Sequence, residues 1–150
     1  MAGTRYGVDL RGIQGNDAQD LATLLGTTPE KMSPRIEALL RDPAATALVA
    51  TGWNGTVIGV VALRWGSDLL ADRGGASITA LVVASDDRRS GIGRLLLKAA
   101  SQAARQHGCD QIDIALPPDA EAAAAFCAAL GFTPVGHSLS RPLRKRSDSR

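Results

Sequence analysis

The stretch from residue 83 to residue 94 carries the residues whose types and spacing are best suited to chemistry. It joins the apolar run Ala76–Ala84 to an amphipathic segment, 91–107, through a turn that contains Gly91 and Gly93. A strand that passes into a helix in this way leaves several backbone N–H groups without helical partners at one point. The helix dipole adds positive potential there, and the glycines leave room for a ligand to approach closely. We therefore predict an anion-binding turn of the kind that holds phosphate groups.

Three arginines strengthen this prediction, because Arg88, Arg89 and Arg94 can each bind a phosphate oxygen. Two common phosphate motifs are nevertheless excluded. The dinucleotide fingerprint GxGxxG fails because Leu96 stands at its third glycine position, and no Gly-Lys-Ser or Gly-Lys-Thr of a P-loop occurs. The ligand must therefore be sought in another class of phosphate-bearing cofactor.

The remaining pattern, Arg88-x-x-Gly91-x-Gly93 after a strand that ends at Val83, resembles the acetyl-CoA signature of the GCN5-related N-acetyltransferases, the GNAT superfamily. Two further blocks are similar to that family. Residues 48–63 resemble its second and third strands around a hairpin, and residues 125–132 resemble its fourth helix running into the sixth strand. The order and spacing of the blocks agree from about residue 30 to residue 144.

This resemblance implies an α/β (α+β) GNAT fold, with a mixed central sheet of about six or seven strands and about four flanking helices. The fourth and fifth strands are expected to splay apart into a cleft. The 150 residues are the size of one domain. We predict a single acetyltransferase domain over residues 1–144, followed by a disordered basic tail at residues 145–150, which contain no apolar side chain.

Local signals place the individual elements. Asn54-Gly55 between two β-rich runs predicts a hairpin. The strands are predicted at residues 4–9, 47–51, 56–65, 76–84 and 112–114, with one or two more near Val135 and Leu139. The helices are predicted from Asp17 to Gly26, from Ser33-Pro34 to Asp42, over 91–107, and from Asp119 to Gly131.

Acetyl-CoA, as the acyl donor substrate, is the cofactor that the resemblance implies. Its pantetheine arm would lie along the fourth strand, and the amides of residues 89–94 would surround the pyrophosphate. The expected cofactor-binding residues are Leu81, Val82, Val83, Arg88, Arg89, Ser90, Gly91, Ile92, Gly93 and Arg94.

The catalytic residues remain unassigned, because the sequence departs from the family where acid and base are usual. Cys127 stands where a tyrosine is common, Ala120 replaces a frequent asparagine, and no carboxylate occurs from residue 76 to residue 85. The candidates are Cys127, Asp68, Asp72 and Thr79. Each also has a plainer interpretation: a core side chain for the cysteine, solvated loop acids for the aspartates, and a water-orienting hydroxyl for the threonine.

The amino-acid composition argues against several classes of binding partner. The net charge of +2 is concentrated near the C-terminus, so the body of the chain gives no case for nucleic acid binding. No run of 18 apolar residues occurs, which argues against a membrane span. Two histidines and two isolated cysteines fit no metal-ligand spacing, so no metal is expected. We expect a cytoplasmic protein with a small-molecule or peptide amine as acceptor, and a homodimer is compatible with the sequence.

Three functions stay open from the sequence. The leading hypothesis is acetyl-CoA-dependent N-acetyl transfer by direct attack of a primary amine, with an oxyanion held by a backbone N–H near Val82. The alternative is a degenerate acyl-CoA-binding regulatory module without catalysis. A third is binding of an acidic partner or nucleic acid through residues 141–150. The acceptor is not readable, although Asp68 and Asp72 are compatible with a cationic amine.

Overall fold

The computed structural model describes residues 7–87, 91–136 and 138–143. The chain divides into two compact units, Met1–Pro117 and Pro118–Arg150. The expectation of one domain over residues 1–144 therefore stays a prediction, and the tail at residues 145–150 lies outside the described residues. In the part of the chain that the structure describes, no helix is long and apolar enough to cross a membrane.

The first unit contains five strands and three helices in its described part. They are β1 (Asp9–Gly12), α1 (Ala18–Leu25), α2 (Pro29–Arg41), β2 (Ala45–Thr51), β3 (Val57–Gly66), β4 (Gly74–Val83), α3 (Ile92–Gln106) and β5 (Cys109–Ile114). The second unit contains α4 (Glu121–Ala129). The mixed α/β architecture with four helices confirms the predicted fold class.

The sheet has the strand order β1-β2-β3-β4-β5, in which the first four strands are antiparallel and β5 runs parallel to β4. Five strands in the described residues are fewer than the six or seven predicted. The expected strands near Val135 and Leu139 are absent from 131–136 and 138–143, and both side chains are exposed. Pro134 lacks a backbone donor and Gly136 has no side chain to pack, so this segment is a poor strand former.

Two of the predicted helix boundaries are changed by capping. The helix expected to begin at Ser33-Pro34 begins instead at Pro29, because the Thr28 hydroxyl accepts a hydrogen bond from the Lys31 N–H. Pro34 consequently lies inside α2. In α4, Ala120 rather than Asp119 occupies the N-cap and supplies no side-chain hydrogen bond.

The helices cover the two faces of the sheet differently. Buried side chains of α1 and α2 form one hydrophobic cluster with Val49, Val57 and Val60. The opposite face packs on α3, where a Cβ on Gly59 would lie 3.1 Å from Leu96 Cδ1. Because side chains alternate along a strand, Gly59 and the odd-numbered residues after it in β3 face α3, whereas Val60 and the even-numbered residues after it face α1 and α2. The register shift opposite Ala50 and Thr51 breaks this alternation at Ile58, so Val57 also faces α1 and α2.

Contacts near both ends fix α3 on the sheet. Near its start, a Cβ on Gly59 would also lie 3.2 Å from Ile92 Cγ2, so β3 and α3 approach each other closely. At its end, the His107 ring stacks on Trp65 of β3, with 3.9 Å between ring centroids, and its Nδ1 lies 2.9 Å from the Ala103 carbonyl oxygen. The helix start is thereby positioned beside the carboxyl end of β4.

Candidate functional site

β5 ends before β4 does. Their pairing runs from Gly74 opposite Cys109 to Ile78 opposite Ile114, whereas β4 continues to Val83. We use the name β4–β5 fork for the edge of β4 that lies beyond the Ile78–Ile114 pair and is not paired with β5. The apolar run Ala76–Ala84 is typical of a strand buried on both faces, and this prediction is wrong in this half of β4. Thr79 is exposed, and residues 81–84 are only partly buried.

A β-bulge lies at the fork. Ala62 pairs with Ala80 and Leu63 pairs with Ile78, so Thr79 is the extra residue on β4. Such a bulge reverses the alternation of side chains along the strand. Ile78 consequently faces α3, whereas Val82 packs against the cluster of α1 and α2. The bulge thus redirects β4 at the point where its edge opens.

Beyond the bulge, every second backbone N–H of β4 points toward the open edge of the strand. The Ala84 N–H donates to the Ile58 carbonyl oxygen at 2.8 Å, toward β3. Since amide directions alternate in an antiparallel pair, the Val82 N–H also points to β3 and the Leu81 N–H points to the fork. The Leu81 N–H is thus the candidate for the oxyanion donor expected near Val82, which stays a prediction. Val82 instead contributes its side chain to the core.

The turn after β4 ends in an uncapped helix N-terminus. A short 3-10 helix, Ser85–Asp87, follows the strand, and Gly91 is the N-cap of α3 with a φ of 84°. Among the described residues, no side chain caps the helix, and a Cβ on Gly91 would meet no atom within 4 Å. The N–H groups of the first turn, including Gly93 and Arg94, therefore have no helical acceptor. Arg88, Arg89 and Ser90 lie outside the described residues.

These features fit the group that the sequence implies. An extended amide-bearing arm can lie along the open edge of β4 beyond Ile78, and a diphosphate can be held by the first turn of α3, where no described atom lies within 4 Å of a Cβ on Gly91. The exposed Arg94 adds a positive charge at the same helix end. No group of three or more His, Cys, Asp or Glu side chains that could hold a metal occurs among the residues described.

The structure does not bring the loop acids to the fork. Asp68 and Asp72 precede β4, and Asp68 Oδ1 accepts a hydrogen bond from the Leu70 N–H, which shapes the loop. β4 begins at Gly74, and a strand rises about 3.3 Å per residue, so its start lies about 16 Å from Thr79. Thr79 is thus the one of these three candidates that lies at the fork.

Cys127 is a buried thiol in α4 of the second unit. Burial raises its pKa by disfavouring the charged thiolate. The interpretation of Cys127 as a core side chain places it among buried apolar neighbours in α4. This is only partly the case, because neighbouring Phe126 is exposed. Its assignment as a proton donor stays a prediction.

Sequence patterns missed two acidic side chains. Asp113 of β5 is exposed and pairs in register with Ser77, one residue before the fork opens. Asp20 of α1 lines a cavity of about 450 Å³ beside the end of β4. The signal that places each of them is pairing between distant segments, which no local motif encodes. Another cavity, of about 480 Å³, lies between α3 and the start of β5, away from the predicted cofactor residues.

Comparison with known proteins gives the family. The model of the acetyltransferase (GNAT) family matches residues 17–132. The chain belongs to the GNAT acetyltransferase family. This GNAT match includes β4, the fork and the start of α3 in one unit and Cys127 in the other. No curated protein matches the chain significantly.

Solved structures agree with the GNAT fold. A transcriptional regulator from Bacillus halodurans C-125 is 19% identical with a TM-score of 0.83, covering 90% of this chain and 99% of its own. An aminoglycoside antibiotic 6'-N-acetyltransferase from Acinetobacter baumannii is 17% identical with a TM-score of 0.79, covering 93% and 99%. A glucosamine-6-phosphate N-acetyltransferase from Arabidopsis thaliana is 16% identical with a TM-score of 0.78, covering 91% and 99%. At these identities the similarity establishes the fold alone.

Proposed function

We propose that this GNAT protein transfers an acetyl group from acetyl-CoA to a primary amine of a small molecule or peptide. The observation that carries the proposal is the open edge of β4 at Leu81 followed by the uncapped α3 N-terminus at Gly91. Acetyl-CoA supplies a thioester whose carbonyl carbon an amine can attack. The family match supports acetyl transfer as the reaction class.

The protein contributes mainly by positioning. In this proposal the first-turn N–H groups of α3, with Arg94, bind the diphosphate, and the fork edge of β4 aligns the pantetheine arm. The Leu81 N–H points to the fork and donates to the oxygen that becomes negative in the transition state. Holding both substrates in contact converts a bimolecular reaction into one between bound groups, which alone lowers the barrier substantially.

The transfer step needs no nucleophile from the protein. The neutral amine nitrogen attacks the thioester carbonyl, a C–N bond forms, the C–S bond breaks, and CoA leaves as a thiolate. The ammonium proton passes to water, which Thr79 and Asp113 can orient at the fork, and the thiolate takes a proton from solvent. This assigns no acid role to Cys127, whose thiol is buried.

Amine acceptors find support in the names of similar structures. Two of them are named as aminoglycoside acetyltransferases and one as a glucosamine-6-phosphate N-acetyltransferase. All three act on amino sugars or their derivatives according to those names. For this chain we propose only the general class of acceptor, a primary amine.

A thiol-release assay tests the proposal. Acetyl-CoA is supplied with a panel of polyamines, amino acids, aminoglycosides and peptide N-termini, and free CoA is measured. We expect amine-dependent release of CoA with at least one class, and acetylated amine in equal amount by mass spectrometry.

The second candidate, a regulatory module that binds acyl-CoA without turnover, is favoured by one observation: β4 supplies no carboxylate at the fork. The same assay separates the two functions. Binding of acetyl-CoA by calorimetry without CoA release across the whole panel would contradict acetyl transfer and establish the binding module.

A further inference from the structure

A cavity of about 450 Å³ lies between α1, the start of β3 and the carboxyl end of β4. This volume is within the range of small-molecule pockets, roughly 300 to 1,000 Å³. We call it the Asp20 cavity. Its lining residues are Asp20, Thr23, Leu24, Thr56, Val57, Ile58, Val82, Val83, Ala84 and Ser85.

The residues that line the cavity indicate which class of ligand fits it. Leu24, Ile58 and Val82 supply apolar wall, while Thr23 and Thr56 supply hydroxyl groups. Asp20 is the one ionisable side chain among the described residues that line the cavity. A mostly apolar pocket with one carboxylate suits an aliphatic ligand that carries a positive charge.

Asp20 is held in place for such a role. Its Oδ2 accepts a hydrogen bond from the Val57 N–H at 3.1 Å, which ties α1 to the first residue of β3. A nearby cation, Arg11, is committed to Asp17 by two hydrogen bonds of 2.8 and 2.9 Å. Among the described residues, no salt bridge engages Asp20. Arg11 therefore attracts Asp20 through its charge without forming a salt bridge with it, and the carboxylate can still take a cationic ligand.

The Asp20 cavity and the fork share one strand. Ala84 lines the cavity, and Leu81, whose N–H we place at the reacting carbonyl, lies at the fork. Three residues of strand separate them by about 10 Å. An aliphatic chain of that length can reach from the reacting position to the cavity.

We propose that the Asp20 cavity binds a second ammonium group of the acceptor while the first amine reacts at the fork. The acceptor class is then an aliphatic diamine or polyamine with two amines about 10 Å apart. This inference rests on the proposed acetyl transfer to amines. It adds two properties that the proposed function leaves open, the charge of the acceptor and the distance between its two amines.

The test compares two acceptors that differ only in the distal ammonium, octamethylenediamine and n-octylamine. We expect wild type to show a kcat/KM at least tenfold higher for the diamine. Asp20→Asn keeps an oxygen that can accept the Val57 hydrogen bond but removes the charge. It should lower kcat/KM for the diamine about tenfold and leave that for the monoamine unchanged. Asp110→Asn, an exposed acid on β5 outside the cavity, is the matched control and should change neither value.

A second variant keeps Asp20 and fills its cavity. Thr56→Lys places a tethered ammonium beside the carboxylate, because Thr56 is exposed and lines the same space. It should abolish the preference for the diamine without lowering monoamine turnover. Equal kcat/KM for the two acceptors in wild type, or equal losses for both in Asp20→Asn, would overturn the inference.

Binding separates this inference from the proposed function. Calorimetric titration with octamethylenediamine should give an affinity that Asp20→Asn reduces about tenfold, whether or not turnover occurs. If no amine is acetylated but this loss is seen, acetyl transfer fails and the cavity assignment stands. If amines are acetylated and Asp20→Asn binds the diamine as wild type does, the cavity assignment fails alone.

Discussion

At the scale of single residues, the thiol of Cys127 illustrates how burial decides between packing and proton transfer. The raised pKa keeps the group neutral, and a small apolar side chain can replace it. We predict that Cys127→Ala lowers the free energy of unfolding by about 1 kcal/mol and leaves kcat nearly unchanged. Thermal unfolding and steady-state kinetics measure the two effects.

Cys109→Ala is the matched control, since it also removes a buried thiol, but from β5. Both variants should behave alike in kcat. A decrease in kcat of more than about thirtyfold in Cys127→Ala alone, with an unchanged Tm, would make Cys127 the proton donor to the leaving thiolate.

The Arg11–Asp17 ion pair gives the first unit a pH-dependent contribution to stability. Burial alone would raise the pKa of Asp17, but hydrogen bonds from Arg11 and from the Gln14 N–H, with the Arg11 charge, lower it overall. A carboxyl whose pKa is lower in the folded state stabilises the fold above its unfolded-state pKa, near 4. That contribution is lost as the pH falls through the lower folded-state value.

Asp17→Asn should therefore be less stable than wild type at pH 7, by on the order of 2 kcal/mol. The difference should shrink as the pH falls below about 4. Urea unfolding over a pH series measures it. Asp42→Asn, which breaks the more exposed pair with Arg64, is the control and should cost less than about 1 kcal/mol. A difference between Asp17→Asn and wild type that stays constant with pH would contradict this role.

At the scale of elements, the close contact of β3 with α3 positions the anion-binding turn. A methyl group at position 59 would lie 3.1 Å from Leu96 Cδ1 and 3.2 Å from Ile92 Cγ2, so these side chains, or the helix that carries them, must shift. We predict that Gly59→Ala costs about 1 to 3 kcal/mol in the free energy of unfolding and weakens acetyl-CoA binding, because α3 moves away from β4.

Gly12→Ala serves as control, because a Cβ there meets no atom within 4 Å. Its free energy of unfolding should stay within about 0.5 kcal/mol of wild type. Denaturant unfolding compares the two variants. Wild-type stability in Gly59→Ala would show that α3 does not depend on this contact.

Elements with complete local signals were predictable. The helix from Asp17 to Gly26 ends at a glycine with a φ of 73°, as its sequence indicated. The hairpin at Asn54-Gly55 has the expected glycine, with a φ of 84°. That β4 is only partly buried beyond Ile78 was not predictable. It depends on where β5, which comes later in the chain, stops pairing with β4.

The same distinction holds for the candidate site. Gly91 was predictable, since the strand, turn and helix that define its position are contiguous in sequence. Asp20 was not, because its hydrogen-bond partner Val57 lies 37 residues away and its cavity forms only when α1 packs beside β4. Asp113 reaches the edge of the fork only through the parallel pairing of β5.

At the scale of the whole molecule, the described parts of the proposed donor site lie within the first unit. The β4 edge and the α3 N-terminus come from neighbouring stretches of Met1–Pro117, whereas Cys127 belongs to Pro118–Arg150. Donor binding should therefore respond to changes at the turn rather than in α4. This places the decisive test at Gly91.

Calorimetric titration of acetyl-CoA into wild type, Gly91→Ala and Gly91→Glu is the most direct measurement. Both substitutions strain a residue with a φ of 84°, at about 1 kcal/mol of stability, but only glutamate adds a negative charge where we propose that the diphosphate binds. We predict that wild type binds acetyl-CoA, that alanine keeps the affinity within a few-fold, and that glutamate lowers it tenfold or more, about 1.4 kcal/mol. Failure of wild type to bind, or wild-type affinity in folded Gly91→Glu, would contradict the assignment of this turn to acetyl-CoA.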